Sequence, residues 1–249
     1  MNSHTQINIF GLPIEGVDEQ RVIERIERHQ GSYPYWIVTT NPEILLYAYR
    51  HPDYEQTLAK ADLRTVDSVG LKLIGALRRT SLHRLTGVDL AEDLVKWAHQ
   101  KQYRVGILGG GALKSATPAL RKLQDRYPGL QGLAEDGGHV STEGDGDDAT
   151  EEAWHRLTID GPEVLLVAFG HPKQERWIEK HLEDMPSVKV VVGVGGTLDY
   201  WSEHLPRPPK WIRNLGLEWL YRLLTQPRRW KRILNAVIVF PLVYLTSKR

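Results

Sequence analysis

Short apolar runs alternate along the chain with longer stretches whose apolar residues recur every three to four positions. That is the pattern of strands alternating with helices. Tyr35-Trp36-Ile37-Val38 is an apolar, β-prone run, and Ile44, Leu45 and Ala48 then recur at helical spacing. Between them stands Thr39-Thr40-Asn41-Pro42-Glu43, a polar cluster where a strand hands over to a helix. Asn41 is a natural N-cap, and Pro42 at the first helical position gives up no hydrogen bond that a helix start would use. Asp67 repeats the arrangement, with a short strand expected over residues 61–66 and a helix over Val69–Leu77. Ligands of open α/β sheets bind at the carboxyl ends of strands, so the two polar groups can converge on one crevice. Alternatively, Asn41 only caps a helix and Asp67 is a loop carboxylate.

The same alternation continues on both sides. Residues 7–16 read as a short hairpin turning around Gly11-Leu12-Pro13, and 18–29 as an amphipathic helix with Val22, Ile23 and Ile26 on one face. Gly87-Val88-Asp89 opens a helix to about Gln100, with Leu90, Leu94 and Trp97 inward. Residues 103–108 form a strand ending in Gly109-Gly110-Gly111, followed by a helix over 112–126 and another strand over 130–134. A buried strand over 163–169 runs into Gly170-His171-Pro172-Lys173-Gln174-Glu175 and a helix to about Met185. The last core strand, 188–194, leads into Gly195-Gly196-Thr197-Leu198-Asp199. The prediction is an α/β, Rossmann-like fold with a mostly parallel, doubly wound sheet.

A strand, glycines and a helix N-terminus suit a diphosphate, because backbone N–H groups point outward and glycine lets an anion approach. Gly109, Gly110, Gly170, Gly195 and Gly196 are therefore donor-binding candidates. Lys173 and Gln174 fall in a first helical turn, where a phosphate or sugar hydroxyl could meet them, and Asp199 is a candidate partner for a ribose or sugar hydroxyl. The alternatives are tight connections, surface polar residues and a helix cap. The full dinucleotide fingerprint is absent, since its third glycine is replaced around Lys114, which disfavours an oxidoreductase. Asp145-Gly146-Asp147-Asp148 resembles a metal-binding carboxylate motif of glycosyltransferases. No long apolar strand leads into it, so 143–152 is expected to be a solvated loop.

Composition adds two constraints. The absence of cysteine excludes disulfides, thiolate metal sites and a cysteine nucleophile. The first ten residues lack a signal-peptide pattern, so cytoplasmic residence is expected. Charge is uneven: residues 207–249 hold ten Lys/Arg against Glu218 alone, a net of +9 in a chain whose total is +1, which leaves −8 on the rest. A catalytic domain over 1–205 and a basic appendage over 206–249 are expected. In the tail, Trp211, Trp219 and Trp230 interleave with arginines, and 233–245 is nearly all apolar apart from Asn235 and Pro241. That run of about 13 residues is too short for a span of roughly 20, but suits the headgroup region of an anionic leaflet. A core-packing helix or an oligomer contact are the alternatives, and self-association stays open. Nucleic acid is not expected, because an apolar run has no use on a phosphate backbone.

Together Thr39-x-Asn41-Pro42-Glu43, Asp67, Arg84-x-x-Gly87-x-Asp89, Gly109-Gly110, Gly170-x-Pro172-Lys173-Gln174-Glu175 and Gly193-Val194-Gly195-Gly196-x-x-Asp199 resemble one family in order and content. Arg207-x-Pro209-Lys210-Trp211 and Gly216-Leu217-Glu218-Trp219-Leu220-x-Arg222 complete the pattern. The chain resembles the WecG/TagA/CpsF glycosyltransferases, family twenty-six of that classification. The resemblance implies an inverting transferase of the GT-E fold that needs no metal or cofactor. Such enzymes move an N-acetylmannosamine-type or related sugar from a UDP-sugar to a polyprenyl-diphosphate-linked acceptor, on the inner face of the cell membrane, for cell-surface polysaccharides. By the same resemblance Asp67 is the general base, Thr39 and Asn41 line the acceptor or sugar pocket, and Arg84 and Gln174 contribute to the active site. Arg207, Arg222, Arg228, Arg229 and Arg232 would serve membrane docking and the acceptor diphosphate. A nucleotide-sugar-binding regulatory module anchored by its tail is the non-catalytic alternative. Three departures bear on the sugar: Ser68 where glycine is usual, Leu198 for an aromatic, and Ser202-Glu203 for a small pair.

Overall fold

A computed structural model describes residues 5–226, 228 and 230–247. Eight strands form one sheet: β1 (Gln6–Ile9), β2 (Leu12–Glu15), β3 (Tyr35–Thr40), β4 (Leu63–Val66), β5 (Val105–Gly109), β6 (Gly132–Glu135), β7 (Val164–Ala168) and β8 (Val190–Gly193). Their spatial order is β1-β2-β4-β3-β8-β7-β5-β6, parallel throughout except for the β1–β2 hairpin. The last strand in sequence is thus central in space. β3 winds outward to β4 on one side, while β5 to β8 fill the other, so the winding direction reverses beside β3 and β8, where a crevice opens.

Every residue of β3 is buried, because both of its faces are covered. Trp36 and Val38 enter one apolar core with α2 (Pro42–Arg50), α3 (Pro52–Ala59), α4 (Val69–Leu77), α7 (Asp148–Asp160) and α8 (Lys173–His181). Tyr35 and Ile37 enter the opposite core with α1 (Glu19–Arg28), α5 (Gly87–Lys101), α6 (Ala116–Arg126) and α9 (Thr197–Trp201). The sheet is therefore doubly wound, as the hydrophobic pattern predicts. Asn41 caps α2, its Oδ1 accepting the N–H groups of Glu43 at 2.9 Å and Ile44 at 3.1 Å.

The C-terminal region carries α10 (Lys210–Asn214), α11 (Glu218–Thr225), α12 (Trp230–Leu234) and α13 (Phe240–Thr246). A π-helical stretch, Asn235–Val239, joins α12 to α13 without a break. Pro241 lies just beyond it; proline lacks an N–H and crowds the carbonyl four residues back, which a wider turn relieves. Phe240 is buried against Phe10, whereas Val237, Ile238, Leu242 and Leu245 are exposed. One residue of this helix is core; most of its apolar surface is not.

Four boundaries differ from expectation. The hairpin turns at Phe10-Gly11, both at positive φ, so Leu12 and Pro13 lie within β2. The helix expected from 112 starts at Ala116, after a 3-10 turn and a left-handed Lys114. Its first N–H is taken by Asp136 Oδ1 at 3.0 Å. The helix expected to reach Met185 ends at His181, followed by one 3-10 turn. Residues 143–152 are not wholly loop: α7 begins at Asp148, with Ala153, Trp154 and Leu157 buried. Asp147 is its N-cap, accepting from Thr150 N–H at 3.0 Å and His139 N–H at 2.8 Å, and Asp145 pairs with Lys180.

These contacts make Asp147 a structural cap. Asp147→Ala is expected to cost about 1 kcal/mol and lower Tm by roughly 2–4 °C, measured by thermal unfolding.

Candidate active site

The carboxyl ends of β3, β4, β7 and β8 border a polar cleft of about 270 Å³. Thr39, Asn41 and Asp67 line it, together with Gly110, Gly170, Gln174, Gly195, Gly196 and Asp199. Two donor-binding candidates, Gly109 and Lys173, are not in the lining; Gly109 packs against the Ala168 backbone. Thr39 Oγ1 donates to the Gly193 carbonyl at 3.3 Å, tying β3 to β8. Asp199 accepts from Ser115 Oγ at 2.8 Å, which joins α9 to the start of α6.

Asp67 sits where β4 ends. Its N–H donates to the Thr40 carbonyl at 2.9 Å, and its carboxylate accepts from the Gly87 N–H at the start of α5. Burial pushes its pKa up to about 6; Arg84 and Arg222 pull it down, and Glu218 pushes it up. Such a group is still mostly ionised at pH 7 and can accept a proton. His171, at the rim, is held down at about 4 by burial and by Arg232, so its imidazole is neutral at pH 7.

Gln174 acts as a clamp. Its Oε1 accepts the N–H groups of Gly170 at 3.0 Å and Gly195 at 3.1 Å, locking the turns after β7 and β8 together. Its Nε2 donates to Glu175 Oε1 at 2.7 Å, and Tyr54 Oη donates to Glu175 Oε2 at 2.9 Å. The buried Glu175 thereby fixes which way round the amide stands. Gly193 makes room for it, because a Cβ there would lie 2.4 Å from Gln174 Nε2.

An apolar groove of about 600 Å³ opens onto the cleft from the side. α4 forms one wall through Val69, Leu73 and Leu77, and Val237, Pro241 and Leu245 form the other. Asn41, Asp67, Glu43, Glu218, Arg222 and Arg232 border both spaces. Most arginines here are engaged. Arg84 donates to the Asp67 carbonyl at 3.0 Å and pairs with Glu218. Arg232 pairs with Glu43 through two hydrogen bonds of 2.8 and 3.0 Å, and Arg207 pairs with Asp89. Arg222 differs: among the described residues no carboxylate lies within salt-bridge distance, its Nε is buried without a partner, and its guanidinium lies over Tyr200. Arg228 is exposed outside both spaces, and Arg229 lies outside the described residues.

Glu43 and Glu218 were visible as motif residues but carried no assigned role; only the fold shows that they hold arginines at the junction. The departures are accommodated locally. Ser68 has φ −119° and caps α4 by accepting the Leu71 N–H, so glycine is not required. Glu203 has φ +62°, a region that favours glycine, and its carboxylate pairs with Lys122 at 3.0 Å. Leu198 is buried in the core beneath the cleft.

A carboxyl whose pKa is raised on folding holds its proton more tightly folded than unfolded. Asp67 therefore makes stability fall as pH rises from its ordinary 3.8 to about 6. Asp67→Asn is expected to remove that fall and to stabilise the chain at pH 7 by on the order of 1 kcal/mol, allowing for solvent at the cleft mouth. Denaturant unfolding between pH 4 and 7 measures both effects.

Residues 7–249 match the model of the glycosyl transferase WecG/TagA/CpsF family. A Staphylococcus aureus N-acetylglucosaminyldiphosphoundecaprenol N-acetyl-beta-D-mannosaminyltransferase is 31% identical over 98% of this chain and 94% of its own. A Bacillus spizizenii protein of the same name is 32% identical over 84% of this chain and 77% of its own. The chain thus belongs to the WecG/TagA/CpsF family of glycosyltransferases.

Proposed function

We propose that this glycosyltransferase moves an N-acetylmannosamine-type sugar from UDP to a polyprenyl-diphosphate-linked N-acetylglucosamine, with inversion and without a metal, in cell-surface polysaccharide synthesis. The observation that carries the reading is the position of Asp67 at the junction of a polar cleft and an apolar groove. An acceptor with a sugar, a diphosphate and a hydrocarbon chain has the same sequence of chemistries. The prenyl chain lies in the groove, Arg222, a cation with no carboxylate within salt-bridge distance among the described residues, meets the diphosphate, and the acceptor hydroxyl reaches Asp67. The names of the relatives, which specify a diphosphoundecaprenol acceptor, support the assignment.

The UDP-sugar occupies the polar cleft beside the turns clamped by Gln174, with Asp199 toward a ribose or sugar hydroxyl. In the displacement, Asp67 takes the proton of the acceptor hydroxyl as that oxygen bonds to the anomeric carbon. The bond from this carbon to the UDP oxygen breaks, and its electron pair leaves with UDP. Because Gln174 occupies the N–H groups of Gly170 and Gly195, the nearby arginines are the groups that stabilise the charge developing on the leaving group. In this reading Gln174 is a positioning residue rather than a proton carrier, and Arg84 holds Asp67 in place. The segment 206–249 docks on the inner face of the cell membrane, and the fold is of the GT-E type.

Transfer from a panel of UDP-sugars to a short-chain prenyl-diphosphate acceptor, with EDTA present, tests the proposal. The parent is expected to turn over, with kcat/KM rising through about pH 6, and Asp67→Asn is expected to lose roughly a hundredfold or more. Full activity in Asp67→Asn would remove its role as base. UDP binding without turnover on any sugar would favour a regulatory module.

A further inference from the structure

α4 breaks the pattern of an outer helix. It buries Leu71 and Ile74 against the sheet, yet Leu73, Ala76 and Leu77 face outward, with Leu73 60% and Leu77 79% exposed. Lys72 is its only charged residue. The outer face of α1, by contrast, shows Glu19, Arg21, Glu24 and Arg28. Charge around α4 is also one-sided: residues 68–88 contain four Lys/Arg and no acid, a bias otherwise characteristic of the tail.

We infer that α4 is a second membrane-inserting element, lying with the helical stretch 230–246 in the headgroup–acyl boundary of an anionic bilayer. The inference rests on the acceptor reading above and adds a part of the chain outside the tail. The groove has two lips, Leu73 and Leu77 of α4 on one side and Val237 and Leu245 on the other. A prenyl chain passing from a bilayer into this groove stays out of water only if both lips touch lipid. Arg78 lies over the Tyr244 ring, 5.3 Å from its centroid, so α4 and α13 are joined across the groove and present one surface. Exposed Lys72, Arg78 and Arg79 flank the apolar face of α4, as Arg228 and Lys231 flank the tail. That ring of cations around exposed leucines complements anionic headgroups above an acyl layer. A second copy of the same face would bring like charges together, since residues 68–88 and 219–249 hold no Asp or Glu.

The absence of cysteine makes the test direct. Single-cysteine variants Ala76→Cys on α4, Leu242→Cys on α13 and Arg121→Cys on α6 are labelled with an environment-sensitive fluorophore. Vesicles of three parts phosphatidylcholine to one part phosphatidylglycerol are then added, with and without a quencher on the acyl chain. The labels at 76 and 242 are expected to brighten severalfold and to be quenched from the acyl layer, with the label at 121 unchanged. In unlabelled protein, Leu77→Glu is expected to lower vesicle partitioning about tenfold. A label at 76 that stays in water while that at 242 enters lipid would overturn the inference and leave tail docking intact. A label at 76 that becomes shielded without vesicles, as the chain dimerises, would assign the face to a second copy and overturn it. If neither label enters lipid, membrane docking as a whole fails, and turnover of the short-chain acceptor still reports separately on the transferase chemistry.

Discussion

Arg84 holds the site together. Its guanidinium donates to the backbone carbonyl of Asp67 at the end of β4, reaches the Arg213 carbonyl on α10, and pairs with Glu218 on α11. One side chain thus joins the strand that ends at Asp67 to the helices α10 and α11 beside the cleft. Two further pairs, Glu43–Arg232 and Asp89–Arg207, fasten the same C-terminal region to α2 and α5. Charges at such partly desolvated positions are costly to leave single, so the pairs favour one placement of these helices. Because the other arginines at the junction are matched, Arg222 is left as a cation without a carboxylate partner among the described residues.

The electrostatics of Asp67 follow from the same arrangement. Burial alone would favour the protonated acid, which cannot accept a proton. Arg84 and Arg222 oppose burial, and the balance near 6 leaves the carboxylate ionised but basic enough to take a proton near neutrality. The opposite wall is held by different means. Gln174 ties two glycine turns through backbone N–H groups, and Glu175 with Tyr54 fixes its amide from the interior. Both walls of the cleft are thus fixed in place by groups of the chain itself, the preorganisation that the proposed transfer requires.

Much of this was legible in the sequence where the signal is local. The hand-over from β3 to α2, the cap made by Asn41, the bounds of α4 and the placing of Asp67 at a strand end all follow from neighbours within a few residues. Other features depend on partners far away in the chain. Glycines followed by a helix suggest a phosphate turn, but Asp136 takes the first N–H of α6 and sets that helix back to Ala116. The acidity of residues 143–152 hides a helix start, because a capping aspartate and a solvated one are written with the same letter. Whether an arginine has a carboxylate partner is likewise a tertiary fact: Asp89 stands beside Arg207, whereas the Tyr200 ring lies under Arg222. Finally, a helix with apolar residues on every side reads as buried, and only the fold shows that α4 has an uncovered outer face.

Asp67 lies between a polar cleft, proposed to hold the donor, and an apolar groove, proposed to hold the prenyl chain. The most direct measurement is a structure of the chain bound to UDP and a short-chain prenyl-diphosphate N-acetylglucosamine. The prenyl chain should lie between α4 and α13, with the diphosphate on Arg222 and an acceptor hydroxyl within about 2.6–3.2 Å of the Asp67 carboxylate. A prenyl chain bound elsewhere, or an acceptor hydroxyl turned away from Asp67 toward another base, would contradict it.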